Sequence, residues 1–455
     1  MAARGVVRGM QRRPIGCVGS RALSGFREEQ DMSTGKMPGR VMGGGRGRDG
    51  DGAIAAPPPV EPARRPHSLL SPAKMGDVNR GRLLQSLFDL GPTSRADLAR
   101  HIGVNRATIT GIVQPLIDDG ILEEGEPASP GGAGGKPARP LQFSRDAPPI
   151  GAIDLRHGSV RTALVSWTGE ITAVEREDFP TEAGDPGAVA AIVASLSRTL
   201  SAARQPPLGI GVGATGMIDT DRGVIVKVNL APVLSGLGLG AILEERTGLP
   251  VYLDHHPRAL LLADRWFGIG RSLRTFAVLY LSDVIGGALQ LDGHLQSGPA
   301  GAGGELGHTF VQIDGEICAC GRRGCWETVA TIGWLRRQAR AAGLPEAEAM
   351  TPSLLAGLAD TGSEAAERLL DLYARNIAVG IANLQQTLAP NHFVLHGEVV
   401  EAGERLRAAI EAHVGLLVPP RPGSEPRVLL TDQRGRATLR GAAGIVLSRR
   451  LQFQL

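Results

Sequence analysis

The stretch Gly304–Glu327, GELGHTFVQIDGEICACGRRGCWE, holds three of the four cysteines in the chain. They are Cys318, Cys320 and Cys325, and His308 stands ten residues before the first of them. Thiolate sulfur and imidazole nitrogen are ligands that tetrahedral zinc prefers, and four of them close its shell without a position for a catalytic water. The stretch therefore predicts one structural zinc ion. The alternative interpretation is three buried thiols beside a chance histidine.

Two glycines and two carboxylates complete this stretch. Gly321 and Gly324 lie between the last two cysteines, where a chain that wraps a metal turns sharply and a Cβ often clashes. Glu305 and Glu327 each lie within three residues of a predicted metal ligand, so a bound metal would fix both near one point. Carboxylates beside an oriented imidazole accept hydrogen bonds from sugar hydroxyl groups.

The pattern G-E-x-G-H followed by C-x-C-G-x-x-G-C-x-E resembles the signature of the ROK family, which contains sugar kinases and sugar-responsive repressors. The resemblance extends over about residues 78–450. It implies that His308 and the three cysteines bind zinc, and that Glu305, His308 and Glu327 contact a sugar. It also implies a two-lobed, actin-like sugar-kinase fold of the ribonuclease H-like type, with the ligand in the cleft between the lobes.

Composition limits the class of protein. The 455 residues are enough for two or three domains, and 42% are hydrophobic. No apolar run approaches the roughly 20 residues that a membrane helix needs. Scarce, clustered cysteine favours a reducing compartment with a metal site over a disulfide scaffold. We therefore expect a cytoplasmic protein with no membrane partner.

The first 76 residues differ from the rest in charge. Residues 1–75 contain thirteen Lys or Arg and six Asp or Glu, about +7, which leaves about −4 for the remaining chain. Runs such as GGGRGRDGDG have no apolar periodicity and predict a disordered basic tail with a nonspecific attraction to nucleic acid. The tail lacks the apolar core of a secretion signal. Two interpretations stay open: a translated tail, or an over-extended reading frame whose natural start is Met75.

A helix-turn-helix is predicted after Asn79, where GRLLQSLFDLG places Leu83, Leu84, Leu87 and Leu90 at helical spacing. Ser94 can cap a helix that ends at Gly103, and Asn105 can cap a second helix. That second helix would present its N-terminal side chains to the major groove; an ordinary helical hairpin is the alternative. The predicted shared core consists of Leu98, Ile102, Val104, Ile109, Ile112 and Leu116.

A wing is predicted next. Ile121 and Leu122 predict a strand, and EPASPGGAGGKPARPLQF returns as a glycine-rich hairpin with basic residues. Such a hairpin after a helix-turn-helix can touch phosphates or the minor groove, and the repressor branch of the ROK family carries a similar one. Pro115 inside the second helix removes a backbone hydrogen bond and predicts a kink. The predicted DNA-binding residues are Ser94, Arg95, Asn105, Arg106, Ala107, Thr108, Thr110, Lys136 and Arg139.

From Ile150 onward strands alternate with helices, which predicts an α/β body. Residues 437–450 are expected to form a helix that returns to the first lobe. The predicted fold class is thus α/β, with an N-terminal winged helix-turn-helix and a two-lobed actin-like domain. The predicted division is a disordered tail over 1–76, a winged helix-turn-helix over 77–146, and a ROK sugar-kinase-like domain over 147–455 that contains the zinc loop 304–327.

The nucleotide-binding motifs of the kinases that this chain resembles are altered. A turn of the type D-x-G-G-T, whose backbone amides approach phosphates, is here Asp154 to Ser159, without the two glycines and the threonine. The second phosphate loop reads SDVIGG, with Asp283 placed to repel phosphates. His396 stands where a glycine is expected. We therefore expect no ATP binding.

The catalytic base of those kinases is also absent. The resemblance places an Asn-Asp pair at His255 and His256, where the aspartate would take the proton of the attacking hydroxyl. A histidine can act as a base or accept a hydrogen bond, but a cleft without catalysis is the simpler interpretation. Asn229 aligns with a position that lines the sugar pocket. The predicted sugar-binding residues are Glu305, His308, Glu327, Asn229, His255 and His256.

The sequence as a whole predicts a DNA-binding transcriptional regulator of carbohydrate metabolism, in the first place a repressor, with operator DNA and a sugar or sugar derivative as partners. A homodimer or a dimer of dimers is expected, because one winged helix on one half-site seldom gives enough specificity. Two alternatives stay open. One is an ATP-dependent sugar kinase of the ROK hexokinase type with an appended DNA-binding domain, and the other is a sensor without a ligand that acts through a protein partner.

Overall fold

The computed structural model describes residues 72–127, 139–184, 186–433 and 435–450. Residues 1–71 of the predicted tail and the wing residue Lys136 lie outside these ranges, whereas residues 72–76, predicted to be disordered, form the first turn of a helix. None of the helices in the described ranges is long and apolar enough to cross a membrane.

The helices, in chain order, are α1 Pro72–Leu90, α2 Arg95–Ile102, α3 Arg106–Asp118, α4 Gly187–Ser201, α5 Leu239–Thr247, α6 His256–Phe267, α7 Glu327–Ala330, α8 Ile332–Ala341, α9 Pro352–Asp360, α10 Glu364–Leu388, α11 Gly403–Leu417 and α12 Ala437–Arg450. The strands are β1 Thr93–Ser94, β2 Leu122–Glu124, β3 Pro140–Phe143, β4 Ile150–Arg156, β5 Ser159–Val165, β6 Ile171–Asp178, β7 Ile210–Ala214, β8 Met217–Asp219, β9 Val224–Lys227, β10 Val251–His255, β11 Phe276–Leu281, β12 Ile285–Leu291, β13 His294–Leu295, β14 His392–His396 and β15 Arg427–Leu430.

The first folded part is a winged helix-turn-helix. Helices α1, α2 and α3 pack beside a small antiparallel sheet in the order β1-β3-β2. The predicted caps are confirmed: Ser94 Oγ accepts from the backbone N–H of Asp97, Gly103 ends α2 in the left-handed region, and Asn105 Oδ1 accepts from the N–H of Thr108. These caps fix where α2 ends and α3 begins.

The core of this part differs slightly from the prediction. Leu98, Ile109 and Leu116 are buried as expected, whereas Leu90, at the last turn of α1, is 48% exposed. The buried face of α1 consists of Leu83, Leu84, Leu87 and Phe88, and Leu90, the last residue of the helix, lies beyond it. Helix α3 continues past the exposed Pro115 to Asp118.

The first lobe of the body is built on a five-stranded sheet in the order β10-β7-β4-β5-β6. Strands β10, β7 and β4 run parallel to one another, and β5 and β6 are antiparallel. The carboxyl ends of the three parallel strands meet at one edge of the sheet, which brings Arg156, Ala214 and His255 to the same side. The sequence-based reading did not include β6, whose residues alternate between half-buried and exposed.

The second lobe has its own five-stranded sheet, in the order β13-β12-β11-β14-β15. Its core is formed by β11, β12 and β14 against α8, α9, α10 and α11. The two lobes and the winged helix together confirm the predicted α/β class with an actin-like body.

Two helices lie at the centre of the body. As predicted, α12 returns to the first lobe, where it crosses α6 and β7 so closely that a side chain at Gly441 would meet the backbone oxygen of Ala259 at 1.8 Å, and one at Gly211 would meet that of Ala442 at 1.8 Å. Ten of the twelve residues of α6 are buried, because α12 covers one side of it and residues of the second lobe cover the other.

The winged helix shares a hydrophobic core with the first lobe. Phe88 at the end of α1 lies between the ring of Phe143 in β3, at 4.2 Å between centroids, and that of Trp266 in α6, at 4.7 Å. Phe143 in turn stacks on Trp167, at 5.5 Å. The winged helix therefore rests on the body through a continuous apolar contact.

Candidate functional site

The four predicted metal ligands come together. One ligand atom from each of His308, Cys318, Cys320 and Cys325 lies within 4.8 Å of the others. Cys318 Sγ is 3.6 Å from His308 Nδ1, and Cys320 Sγ is 3.7 Å from Cys325 Sγ. Burial and the hydrogen bond with Cys320 raise the pKa of the Cys325 thiol to about 12, so a cation is needed to stabilise its thiolate. The cluster can hold a metal ion.

The loop that carries the cluster is fixed on both sides. Gly321 and Gly324 have φ angles of 87° and 70°, in the left-handed region that glycine adopts without strain. On the other side of the cluster, Trp326 is buried and its Nε1 donates to the backbone oxygen of Asn376 at 2.9 Å. Its ring lies over Gly380, where a side chain would meet the ring at 2.3 Å. Helix α10 therefore anchors the loop to the second lobe.

Glu327 joins this cluster to the second-lobe sheet. One carboxylate oxygen accepts from the backbone N–H of Ile285 at 2.8 Å. The other lies 3.5 Å from His308 Nδ1 and 3.8 Å from Cys318 Sγ. The position of Glu327 is thus coupled to the metal ligands, as the sequence predicted.

Glu305 lies on the solvent side of the same cluster, and its side chain is exposed. The surrounding protein still removes enough water to raise the pKa of Glu305 above its ordinary value, while nearby His308 and Arg258 act in the opposite direction. Glu305 and Glu327 therefore offer carboxylate acceptors for hydroxyl groups near the His308 imidazole.

The two histidines at the start of α6 differ from each other. His255 is half-buried, and desolvation together with the nearby Arg258 lowers its pKa to about 3. His256 is 2% exposed, its Nε2 is 3.1 Å from Thr438 Oγ1, and its ring meets that of Tyr280 edge-on. His256 is thus buried and its Nε2 contacts Thr438 inside the protein, which disagrees with a direct sugar contact.

Asn229 is exposed, in the turn that follows β9. Its contact with a sugar stays a prediction.

The second helix of the winged domain offers an exposed face. Arg106, Ala107, Thr110, Gly111 and Gln114 are exposed and lie at helical spacing on α3. The first turn of α3 contains no acidic residue, so its N-terminal end can approach phosphates. The exposed residues of this face include no acidic side chain.

Other predicted DNA contacts are used inside the domain. Arg95 forms an ion pair with Glu124 of β2, which links α2 to the sheet. Because Glu124 compensates the charge of Arg95, that charge is not free to bind a ligand. Ser94 and Asn105 serve as caps, and Thr108 donates to Asn105 from both N and Oγ1. These partners disagree with direct base contacts from these side chains.

In the wing, Arg139 is exposed at the start of β3. Lys136 lies outside the described residues.

Residues 150–449 match the sequence profile of the ROK family. The chain belongs to the ROK family. It is 25% identical over 405 residues to the xylose repressor of Caldicellulosiruptor bescii, a match that covers 85% of this chain and 98% of the repressor. It is 30% identical over 314 residues to the glucokinase of Halalkalibacterium halodurans, and that match covers 65% of this chain and 92% of the glucokinase.

A solved structure superposes on most of this chain. A ROK family transcriptional regulator, described as a homologue of the Escherichia coli MLC protein, superposes with a TM-score of 0.72 at 26% identity. The superposition covers 84% of this chain and 98% of the regulator, so it includes the winged helix as well as the ROK body.

The ROK body contains a cavity of about 250 Å³ between its lobes, beside the turn after β4. Arg156 lies in its wall and donates to Asp154 at 2.6 Å, to Tyr280 Oη at 3.2 Å and to Thr438 Oγ1 at 3.0 Å. Arg161 also pairs with Asp154, at 2.8 Å. Arg156 thus links β4 to β11 and α12.

The sequence-based prediction missed two residues of these sites. Gln114 was detectable, because it lies two helical turns after Arg106 on the same face of α3. Arg258 was not, because an arginine directly before the apolar run ALLLAD gives no periodic signal that separates a solvent-facing cation from a buried one. The structure buries Arg258 fully, paired with Asp254.

Proposed function

We propose that this chain is a transcriptional repressor that binds operator DNA through its winged helix-turn-helix and senses a sugar or sugar derivative in a non-catalytic ROK body. One observation carries the proposal: a winged helix with an exposed, non-acidic α3 face is packed onto the ROK body by the aromatic contact at Phe88. The match to the xylose repressor covers 98% of that protein, which supports the same functions for the two parts of this chain.

Operator recognition belongs to α3. Arg106 is exposed on its first turn, where an arginine can donate two hydrogen bonds to one guanine. Ala107 and Gly111 keep the neighbouring surface flat, so the helix can lie close to base edges. Arg139 and Lys136 of the wing would add phosphate or minor-groove contacts. A dimer, or a dimer of dimers, would bind two half-sites, and the protein would act in the cytoplasm.

The metal in this proposal is structural zinc. Tetrahedral zinc with Zn–S bonds of about 2.3 Å and Zn–N bonds of about 2.05 Å has edges of about 3.8 Å between two sulfurs and about 3.6 Å between sulfur and nitrogen. The Cys320–Cys325 and Cys318–His308 separations are 3.7 and 3.6 Å. When bound, the ion would supply a rigid support for the loop, and no step of catalysis depends on it.

The effector is proposed to lie against Glu305, His308 and Glu327. Glu305 is exposed and Glu327 is held by Ile285, so the two carboxylates differ in mobility but meet near one imidazole. Neutral sugar hydroxyls suit such acceptors. The named relatives make D-xylose and D-glucose the first sugars to test.

The proposal also includes the absence of kinase activity. Arg156 lies in the cavity wall where a phosphate loop would need small residues, and it shares the carboxylate of Asp154 with Arg161. Glu398 and Glu401 also line the cavity, and carboxylates repel the phosphates of a nucleotide. The rival hypothesis, an active sugar kinase with a DNA-binding domain, requires a triphosphate to displace this network.

The DNA part is tested with two substitutions in the purified full chain. Arg106→Ala should weaken binding to the operator by about 1–3 kcal/mol and leave binding to random duplex nearly unchanged, because a base contact carries sequence information. Lys136→Ala should weaken both, and should lower the salt slope by about one if its contact is to a phosphate. If both variants bind like the unmodified chain, α3 and the wing do not read DNA.

The sugar part is tested by calorimetric titration with D-xylose and D-glucose. The unmodified chain should bind one of them, and Glu305→Gln should bind it at least tenfold more weakly because a charged acceptor is lost. Glu401→Gln, in the neighbouring cavity, is the matched control and should bind the sugar normally. Equal loss in both variants would place the sugar elsewhere.

A further inference from the structure

Helix α6 runs from the proposed effector site to the winged helix. Its first turn carries His255 as N-cap and Arg258, and its last turn carries Arg265 and Trp266. At twelve residues it is about 18 Å long. We infer that α6 is the element through which effector binding is transmitted to the DNA-binding domain, an inference that rests on the proposed function.

The effector end of α6 is tied to the loop before Glu305. Arg258 donates from Nη1 to the backbone oxygens of Gly301 at 3.1 Å and Gly303 at 2.7 Å. Its Nε pairs with Asp254 at the end of β10. Its Nη2 finds no acceptor among the described residues, and an unsatisfied buried donor costs about 1–3 kcal/mol. A sugar that repositions this loop therefore acts directly on Arg258.

Polar contacts from two positions along α6 hold the helix between the lobes. Asp264 is buried and lies 2.7 Å from His396 Nε2 of β14, and it accepts from Thr431 Oγ1 at 3.1 Å. His256 contacts Thr438 of α12. Both lobes contact the same helix. A change in the angle between the lobes therefore moves α6 relative to at least one of them.

The other end of α6 contacts the winged helix. Arg265 Nη1 donates to Asp89 Oδ1 of α1 at 3.0 Å. The Trp266 ring is 4.7 Å from the Phe88 ring, and Phe88 also contacts Phe143 of the wing strand β3. Arg265, which contacts α1, directly follows Asp264, the residue that His396 of the second lobe contacts.

The physical argument is that a buried helix moves as a unit. Close-packed interiors transmit displacements because side chains have no free volume to absorb them, and small shifts become discrete rearrangements at interfaces. Backbone hydrogen bonds keep α6 from shortening or bending. A displacement of Arg258 therefore also displaces the contacts of α6 with Phe88 and Asp89. This changes the orientation of the winged helix relative to the body.

The test is a comparison of coupling factors in the full chain, defined as the ratio of operator affinity without and with 10 mM D-xylose or D-glucose. The operator is the duplex that the unmodified chain selects from a random pool. Couplings of this kind are about 5- to 150-fold. Phe88→Leu and Asp89→Asn should each lower the factor at least threefold, while the sugar affinity of the DNA-free protein stays within twofold of the unmodified value.

Two further variants distinguish transmission from simple loss of structure. Arg265→Lys keeps a cation opposite Asp89 and should retain the coupling. Arg407→Met removes an ion pair of similar burial in the second lobe, with Glu411, and should leave the coupling unchanged. A merely structural role for Phe88 would lower the melting temperature and weaken operator binding equally with and without sugar, so the ratio would not move.

The outcomes separate this inference from the proposed function. If the unmodified chain selects no operator, or if neither sugar changes its operator affinity, the proposed function is wrong and the inference fails with it. An unmodified chain that responds to sugar, beside Phe88→Leu and Asp89→Asn variants with the same coupling factor, overturns the role of α6 and leaves the proposed function standing.

Discussion

Replacing Gly324 by alanine should open the metal loop. Gly324 has φ +70°, and a Cβ built on it lies 1.5 Å from the backbone oxygen of Gln312. Because Cβ contacts under 3.0 Å essentially never occur, the backbone has to move by about 1.5 Å beside Cys325. Metal–ligand distances are kept within about 0.2 Å, so a displacement of this size removes at least one ligand.

Gly321 provides the matched control. It lies in the same turn with φ +87°, but nothing stands within 4 Å of its Cβ position. An alanine there meets only the left-handed backbone strain, about 1–2 kcal/mol. If all of this strain energy is lost from the free energy of zinc binding, the zinc affinity falls by about 5- to 30-fold. A full equivalent of zinc still binds at micromolar protein.

The assay is zinc content by elemental analysis and zinc affinity by competition with a chelator. The unmodified chain and Gly321→Ala should hold one zinc each, and Gly324→Ala should hold well under one. The reasoning is refuted if Gly324→Ala holds one zinc with the affinity of Gly321→Ala, because the close contact with Gln312 would then have no consequence for the metal ligands.

Three further outcomes are expected. Cys320→Ser should lose zinc and bind sugar more weakly, measured by elemental analysis and titration, because Glu327 is positioned beside the metal ligands; unchanged sugar affinity would separate the two sites. The free energy of unfolding should fall below about pH 6.5, by up to about 2 kcal/mol per histidine at pH 5. Desolvation and nearby arginines hold the pKa values of His255 and His256 low in the folded chain. As the pH falls, the unfolded chain therefore takes up protons first and is stabilised relative to the folded chain. Urea unfolding at both pH values checks this, and His255→Asn should reduce the loss. Purified protein with ATP and D-glucose should release no more ADP than a denatured control, and sugar-dependent release would revive the kinase hypothesis.

Local chemistry explains what the sequence could predict. The metal cluster was recognisable because its ligands are rare residues packed into one loop, and the caps at Ser94 and Asn105 because side-chain caps act within three residues. The return of helix α12 to the first lobe was predicted from the resemblance to the sugar-kinase fold.

Long-range partners explain what it could not. Arg95 was expected to face DNA, yet Glu124, twenty-nine residues later, pairs with it. His256 was expected at the sugar, yet its partner Thr438 lies 182 residues away. Neither pairing leaves a trace in local spacing. The role of α6 as a helix held by both lobes likewise depends on contacts that only the folded chain brings together.

The central claim is that this chain is a DNA-binding regulator whose ROK body responds to a sugar. The most direct measurement is a footprint of the purified full chain on the DNA that flanks its own gene, with and without D-xylose and D-glucose. We predict a protected site with two half-sites about one or more helical turns apart, whose protection one of the sugars changes at least fivefold. A chain that protects no site in that DNA, and whose α3 variant Arg106→Ala behaves like the unmodified protein on every duplex, would contradict the claim.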